Sequence, residues 1–251
     1  MAILWQQTID GNHYEVRTAG ASVRLYRNSV NHSQWNPNRP LAGSIWDLIT
    51  LPALHRPIKS LKDVLILGFG AGAVGRQISE LVMPERIVGV ELDPIHLSIA
   101  DGFFGCSKDF NLIAGDAVEW VHESDEKGSY DVIIDDLYAE EGDIPVRCVP
   151  MDVEWCEALA ELLRPRGMLI FNIIEPEKMR HFPIIKSPKL KKRFTEKVMY
   201  QIYGYENRII AFSDTPFDLN CLGAQLKRIK RKYPSCRRVE DRYVKSRNFK
   251  P

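Results

Sequence analysis

The chain has 251 residues, 45% of them hydrophobic, a formal net charge of +1 and five widely spaced cysteines. This suits one well-cored domain with an appendage. It lacks any stretch near the roughly 20 apolar residues of a membrane helix, a basic-then-apolar leader and a C-x-x-C pair. The expectation is a cytoplasmic protein with reduced thiols, no metal site and no membrane contact. The small net charge hides an asymmetry: residues 1–177 sum to −13 and residues 178–251 to +14. The basic third is read as a solvated surface, a face toward a second subunit in a homodimer, or a nucleic-acid contact.

Residues 3–9, 14–18 and 22–27 are rich in β-type side chains, with turns at Asp10-Gly11-Asn12 and Ala19-Gly20-Ala21. With a polar loop over 28–41, they predict a small N-terminal β-unit, residues 1–41. Residues 42–54 read as a helix with Ile45, Leu48 and Ile49 on one face, Trp46 serving as packing.

Val64–Leu67 is a short apolar run followed at once by Gly68-Phe69-Gly70-Ala71-Gly72. Val74, Ile78 and Leu81 then have helical spacing, and Ile87–Val90 is a second apolar run ending in Glu91. Strand, glycine turn, helix, strand is half of a doubly wound nucleotide site, with an acidic residue where a ribose binds. Asn111–Ala114 predicts a third strand ending in Gly115-Asp116-Ala117, and Tyr130–Ile134 a fourth ending in Asp135-Asp136. Three acidic strand ends would face one crevice. The glycine turn carries no phosphate-binding lysine, which excludes a P-loop. Carboxylates in place of basic groups suit a sugar, an adenine amino group and an ammonium, so S-adenosylmethionine (SAM) fits better than NAD.

Pro94–Phe104 predicts a helix with His96 on its surface. Trp120 and Val121 fall in the helix after Asp116. Residues 137–151 read as a loop over the transferable group, with Glu140, Glu141 and Asp143 as charges within it. A helix over Met151–Leu163, a strand over Met168–Ile174, a Lys- and Pro-rich loop with a partial helix over 175–193 and a hairpin around Gly204–Asn207 follow. Asp218–Lys232 is a helix and 233–251 a basic tail. The division is thus 1–41, a SAM-binding Rossmann-like domain over 42–217, and a basic helix and tail over 218–251.

Val64–Gly72, Val90-Glu91-Leu92-Asp93-Pro94, Gly115-Asp116-Ala117 and Tyr130–Asp136 together resemble the spermidine synthase-like branch of class I SAM-dependent methyltransferases. The resemblance covers roughly residues 20–215. It implies an α/β Rossmann-like class I methyltransferase fold: a mostly parallel seven-stranded sheet with an antiparallel last strand, plus the small N-terminal β-unit. It also implies a cofactor site at Gly68–Gly72, Leu92 against adenine, Glu91 on the ribose and Asp116 on the adenine amino group, with Ala117 beside it. Asp135 would serve the methionine end or cap a turn. Asp136 and Tyr138 would handle the acceptor.

Departures from the resembled aminopropyltransferases bear on the reaction. Their glycine loop carries an aspartate where Ala71 stands here, and alanine removes a repulsion toward the carboxylate of ordinary SAM. Their second acceptor-binding aspartate corresponds to Ala139. His32 or Gln34 stands near a cofactor-contacting glutamine, while their amine-contacting tyrosine and glutamate fall on Ile45 and Asp47. These differences favour methyl transfer to an amine or other cationic acceptor, small molecule or protein. Aminopropyl transfer and a non-catalytic SAM-binding partner subunit are the alternatives.

Overall fold

Residues 1–106, 108–141, 144–174, 182–202, 204–236 and 243–244 are described by the computed structural model, the side chains of 140, 141, 144, 145, 243 and 244 excepted. The chain begins with an antiparallel meander, β1 (Ala2–Ile9), β2 (Asn12–Ala19), β3 (Ser22–Arg27) and β4 (Val30–Trp35), in that spatial order. β4 occupies the first half of the expected polar loop. Asn28 and Ser29 both adopt positive φ, 47° and 71°, which gives a turn whose twist matches the flanking strands. The alternation is hidden in the sequence because Ser33, a small polar residue, occupies an inward position and is buried.

Helix α1 (Ile45–Thr50) continues into a 3-10 turn over Leu51–His55. There follow β5 (Asp63–Leu67), α2 (Ala73–Leu81), β6 (Arg86–Glu91), α3 (Pro94–Phe104), β7 (Asn111–Ala114), α4 (Ala117–Glu123) and β8 (Tyr130–Asp135). Residues 137–151, expected as loop, contain a hairpin, β9 (Tyr138–Glu141) and β10 (Ile144–Arg147). The rest is α5 (Val153–Leu162), β11 (Leu163–Ile173), α6 (Pro183–Lys186), α7 (Pro188–Arg193), β12 (Glu196–Ile202), β13 (Arg208–Ser213), α8 (Leu219–Lys232) and the two-residue β14 (Tyr243–Val244).

The main sheet runs β14-β12-β13-β11-β8-β5-β6-β7. β11, β8, β5, β6 and β7 are parallel; β13 is antiparallel to both β11 and β12. This is the doubly wound sheet expected, lengthened by β14. Strand order reverses between β5 and β8, and a crevice opens beyond the carboxyl ends of the strands at such a switch point.

Alternating residues of the central strands feed two cores, because side chains of a strand point to opposite faces. Val64, Ile66, Val132 and Ile134 share one layer with Ile78, Ile99, Leu226 and Ile229. Leu65, Leu67, Ile133 and Leu169 share the other with Trp155, Leu159 and Leu162. Helix α8 thus packs into the main core, and Arg228 donates to the Leu81 carbonyl at 2.6 Å. The positive charge of this third is displayed by α7 and α8, where Lys191, Lys192, Lys227 and Arg231 are exposed. Most of the basic tail, 237–242 and 245–251, lies outside the described residues. No helix among the described residues is long and apolar enough to cross a membrane.

Candidate active site

The glycine turn between β5 and α2 is closed on itself. The amide of Gly68 donates to the Val90 carbonyl at 3.0 Å, that of Phe69 to the same oxygen at 3.1 Å, and that of Gly72 to Phe69 at 3.0 Å. Gly70 donates to Glu91 Oε2 at 2.7 Å and Ala71 to Ser33 Oγ at 2.9 Å. All five N–H groups have protein acceptors, so the turn offers no amide cradle for a pyrophosphate. Gly68, at φ 80°, is required by close approach: a Cβ there would lie 2.3 Å from the Asp136 carbonyl oxygen. The glycine pattern therefore answers to packing between strand ends.

A cleft of about 660 Å³ opens above this turn. Gly68, Gly70, Glu91, Leu92, Asp116, Ala117, Asp136 and Tyr138 line it, together with residues of the N-terminal sheet and α1. Arg27 is the sole Lys or Arg among the described lining residues, beside Asp10, Glu91, Asp93, Asp116 and Asp136. Such a wall suits hydroxyl and amino groups and repels phosphate.

Glu91 is buried with both carboxylate oxygens oriented. Oε2 accepts from Gly70 and Oε1 from the Asp93 amide at 2.9 Å. Burial alone would raise its pKa; the His96 imidazole and these two amides outweigh it and hold the carboxyl below its ordinary value. His96 is 4% exposed, not on the helix surface as expected. Its Nδ1 lies 3.6 Å from Glu91 Oε1, its Nε2 3.6 Å from Asp93 Oδ2, and Nε2 has no hydrogen-bond partner among the described residues. Only Leu92 and Asp93 separate β6 from α3, so the first turn of α3 lines the cleft: Asp93 caps it through Ile95 and also accepts from Tyr14 at 2.7 Å.

Asp116 caps α4, accepting from Val118 at 2.7 Å and Glu119 at 3.3 Å through Oδ1. Leu92 is 69% exposed and, with Ala117, Leu137 and Val149, supplies an apolar wall next to the Glu91 and Asp116 carboxylates. Phe69, Ala71 and Gly72 do not line the cleft. Phe69 and Ala71 are buried, and a Cβ on Gly72 would meet Cys106 Sγ at 2.6 Å.

The two aspartates ending the fourth predicted strand part company. Asp135 is 1% exposed and does not face the cleft. Arg147 of β10 clasps it with two hydrogen bonds, 2.9 and 2.7 Å, and Trp155 Nε1 donates to it at 2.7 Å. Asp136 faces the cleft, with Oδ1 accepting from Asn172 Nδ2 at 2.8 Å. Burial, with Asp135 and Glu91 adding, pushes its carboxyl up to about 6, against the Asn172 amide and Arg147. Tyr138 lines the cleft, but its hydroxyl donates to the Asn172 carbonyl at 2.8 Å and accepts from the Ile174 amide at 3.2 Å. Burial raises its pKa further above the ordinary phenol value. Its proton is already committed to backbone.

Asp47 is fully buried and closes α1: Gly43 donates to Oδ2 at 2.6 Å and Gln77 Nε2 to Oδ1 at 2.8 Å. It is absent from the cleft wall, whereas Ile45 and Trp46 are in it. His32 lines the cleft; Gln34 instead accepts from Arg24 at 2.7 Å. Asp143 and the side chains of Glu140 and Glu141 lie outside the described residues. The residues that sequence reasoning missed, His96, Arg147, Asn172 and Asn207, carry no local motif. Asn172 was legible only as a polar residue inside an apolar strand.

The spermine/spermidine synthase domain family model matches residues 47–208, more than half of the chain. The chain belongs to that family. Relatives in the spermine/spermidine synthase neighbourhood divide in name. A Drosophila melanogaster protein named eEF1A lysine and N-terminal methyltransferase homolog is 25% identical over 151 residues, 54% of this chain and 22% of its own length. A polyamine aminopropyltransferase of Sulfolobus acidocaldarius is 31% identical over 134 residues, 49% of this chain and 43% of its own length. The chain thus spans less than half the length of these relatives. A probable spermidine synthase from Corynebacterium glutamicum superposes with a TM-score of 0.67 at 19% identity, covering 92% of this chain and 87% of that one. Human methyltransferase-like protein 13, solved with S-adenosylhomocysteine (SAH), gives 0.54 at 17% identity, covering 78% and 91%. These two likenesses support the Rossmann-like class I methyltransferase fold with its N-terminal β-unit.

Proposed function

We propose that the protein is a SAM-dependent methyltransferase acting on an amine or other cationic acceptor, a small molecule or a protein side chain. The observation that carries it is the wall of the cleft. It joins an oriented ribose-type carboxylate, Glu91, to an acceptor-side carboxylate, Asp136, with no amide or cationic cradle for phosphate between them. The donor set fits SAM. Glu91 would take the ribose hydroxyls, Leu92 the adenine face and Asp116, through its second oxygen, the adenine amino group.

Bound SAM supplies a methyl group on a sulfonium, transferred by in-line displacement. The protein's part is alignment and proton handling. Asp136, with a pKa near 6, is ionised at neutral pH, attracts an ammonium and can receive a hydrogen bond from it as the nitrogen loses its proton. Asp135, neutralised by Arg147, adds no second acceptor charge. Methyl rather than aminopropyl transfer is favoured because Ala139, in the cleft wall, stands where the resembled aminopropyltransferases carry an acceptor-binding aspartate, and Asp47 is locked in a helix cap.

Calorimetry with SAH, SAM and decarboxylated SAM, followed by transfer assays with labelled SAM and candidate amines, tests the proposal. Tighter binding of SAM than of its decarboxylated form, with methyl transfer, is expected. The reverse order of affinity with aminopropyl transfer would replace it, and binding without transfer would leave a partner subunit.

A further inference from the structure

Asn172 of β11 is buried and joins two side chains. Its Nδ2 donates to Asp136 Oδ1 at 2.8 Å, and its Oδ1 accepts from Asn207 Nδ2 at 2.9 Å. Asn207 lies between β12 and β13, next to the first residue of β13, and lines the cleft. A primary amide has one donor end and one acceptor end, and rotating it by half a turn exchanges them. If Asn172 turned over, its Oδ1 would oppose the Asp136 carboxylate and its NH2 would oppose the NH2 of Asn207. The Asn207 donor and the Asp136 acceptor thus favour the same orientation of Asn172, with its NH2 end on Asp136.

We propose that Asn207 is a positioning residue of the acceptor site: through Asn172 it aims the Asp136 carboxylate and keeps it ionised, which makes the hairpin turn part of that site. The inference rests on the reading of Asp136 as the acceptor-side group. One oxygen of Asp136 is tied by the amide. The other, Oδ2, has no hydrogen-bond partner among the described residues, and Asp136 lines the cleft. The charged and titratable groups around Asp136 are Asp135 on β8, Glu91 on β6, Tyr138 on β9 and Arg147 on β10. Both nearby carboxylates disfavour its charge. The Asn172 amide is the neutral group that favours it, and only in one of its two orientations.

Two substitutions separate this from a merely structural role. Asn207→Ala removes the donor and frees Asn172 to turn. Asn207→Asp has nearly the same shape but presents an acceptor, so it draws the Asn172 NH2 away and turns Oδ1 onto Asp136. The carboxyl carbon of Asp136 should titrate about half a unit to one unit higher in Asn207→Ala, and higher still in Asn207→Asp. The acidic limb of kcat/KM should move with it, and kcat/KM at neutral pH should fall roughly tenfold or more. SAH affinity should stay within about twofold, because the Asn207 side chain bonds to Asn172 and not to Glu91 or Asp116, the groups assigned to the nucleoside. Unchanged titration of Asp136 in both variants would overturn the proposal; should the aspartate variant fail to fold, Asn207→Ala decides it alone. The carboxyl titration needs no turnover. If the wild-type protein transfers no methyl group, the functional reading fails while the relay is still decided.

Discussion

Asp135 and Asp136 are neighbours in sequence and opposites in environment: the first is clasped by Arg147 and Trp155 inside the α5 layer, the second faces the cleft with one oxygen unbonded among the described residues. Adjacent residues of a strand point to opposite sides, so one strand end supplies both a structural anchor and a reactive group. The consequences for the two residues differ in sign.

For Asp136, conversion to Asn should abolish most turnover and leave SAH affinity nearly intact. It should also stabilise the fold. A folded pKa of about 6 against an ordinary value of 3.8 means the native state binds this proton more tightly than the unfolded chain. Stability contributed by this group therefore rises as pH falls from about 6 toward 4, and the ionised form at pH 7 costs up to about 3 kcal/mol. Asn keeps the acceptor for Asn172 and removes the charge. Urea unfolding at pH 7 should show a gain for the variant that shrinks near pH 4.

For Asp135, removal should destabilise. Asp135→Ala leaves the Arg147 guanidinium, 12% exposed, without its partner, and breaking a buried pair in this way costs about 3–5 kcal/mol. Chemical denaturation measures this. Hydrogen exchange should quicken in β9 and β10, because Arg147 ties that hairpin to the sheet. Replacing both residues, Asp135→Asn with Arg147→Met, should recover most of the loss.

Glu91→Ala should weaken SAH binding roughly ten- to a hundred-fold, from the loss of hydrogen bonds to a charged group worth about 1.5–3 kcal/mol. Calorimetry reads it directly. Because Glu91 also receives the Gly70 and Asp93 amides, Glu91→Gln should fall between the two: its carbonyl can serve one amide while its NH2 opposes the other.

An acid limb in stability should come from His55. It is 1% exposed, with Nδ1 3.0 Å from the Asp218 carbonyl and Nε2 2.5 Å from the Tyr200 hydroxyl. Burial holds its pKa down at about 4, against the Asp218 carbonyl, from an ordinary 6.5. The unfolded chain takes up this proton first, so the contribution is complete above pH 6.5 and is lost as pH falls toward 4, about 3 kcal/mol in all. Thermal or urea unfolding across that window should show the loss in wild type and a smaller one in His55→Gln.

The alternation of apolar runs with helical spacing determined the doubly wound sheet, since buried parallel strands need nearly continuous apolar sequence and the amphipathic helices need their 3.6-residue period. Glu91, Asp116 and Asp136 were legible for a related reason: residues just past such strands must lie at the switch-point crevice. Burial, partner and direction were not legible. The inward Ser33 that makes β4 a strand, the hairpin that carries Arg147 to Asp135, and the amide relay from Asn207 to Asp136 depend on residues separate in sequence, and His96, though local to Glu91 and Asp93, is buried only because other elements cover it. Periodicity reports which face of its own element a side chain occupies. Which group arrives opposite it, and hence whether a carboxylate is neutralised like Asp135 or left to act like Asp136, is decided only when the layers pack.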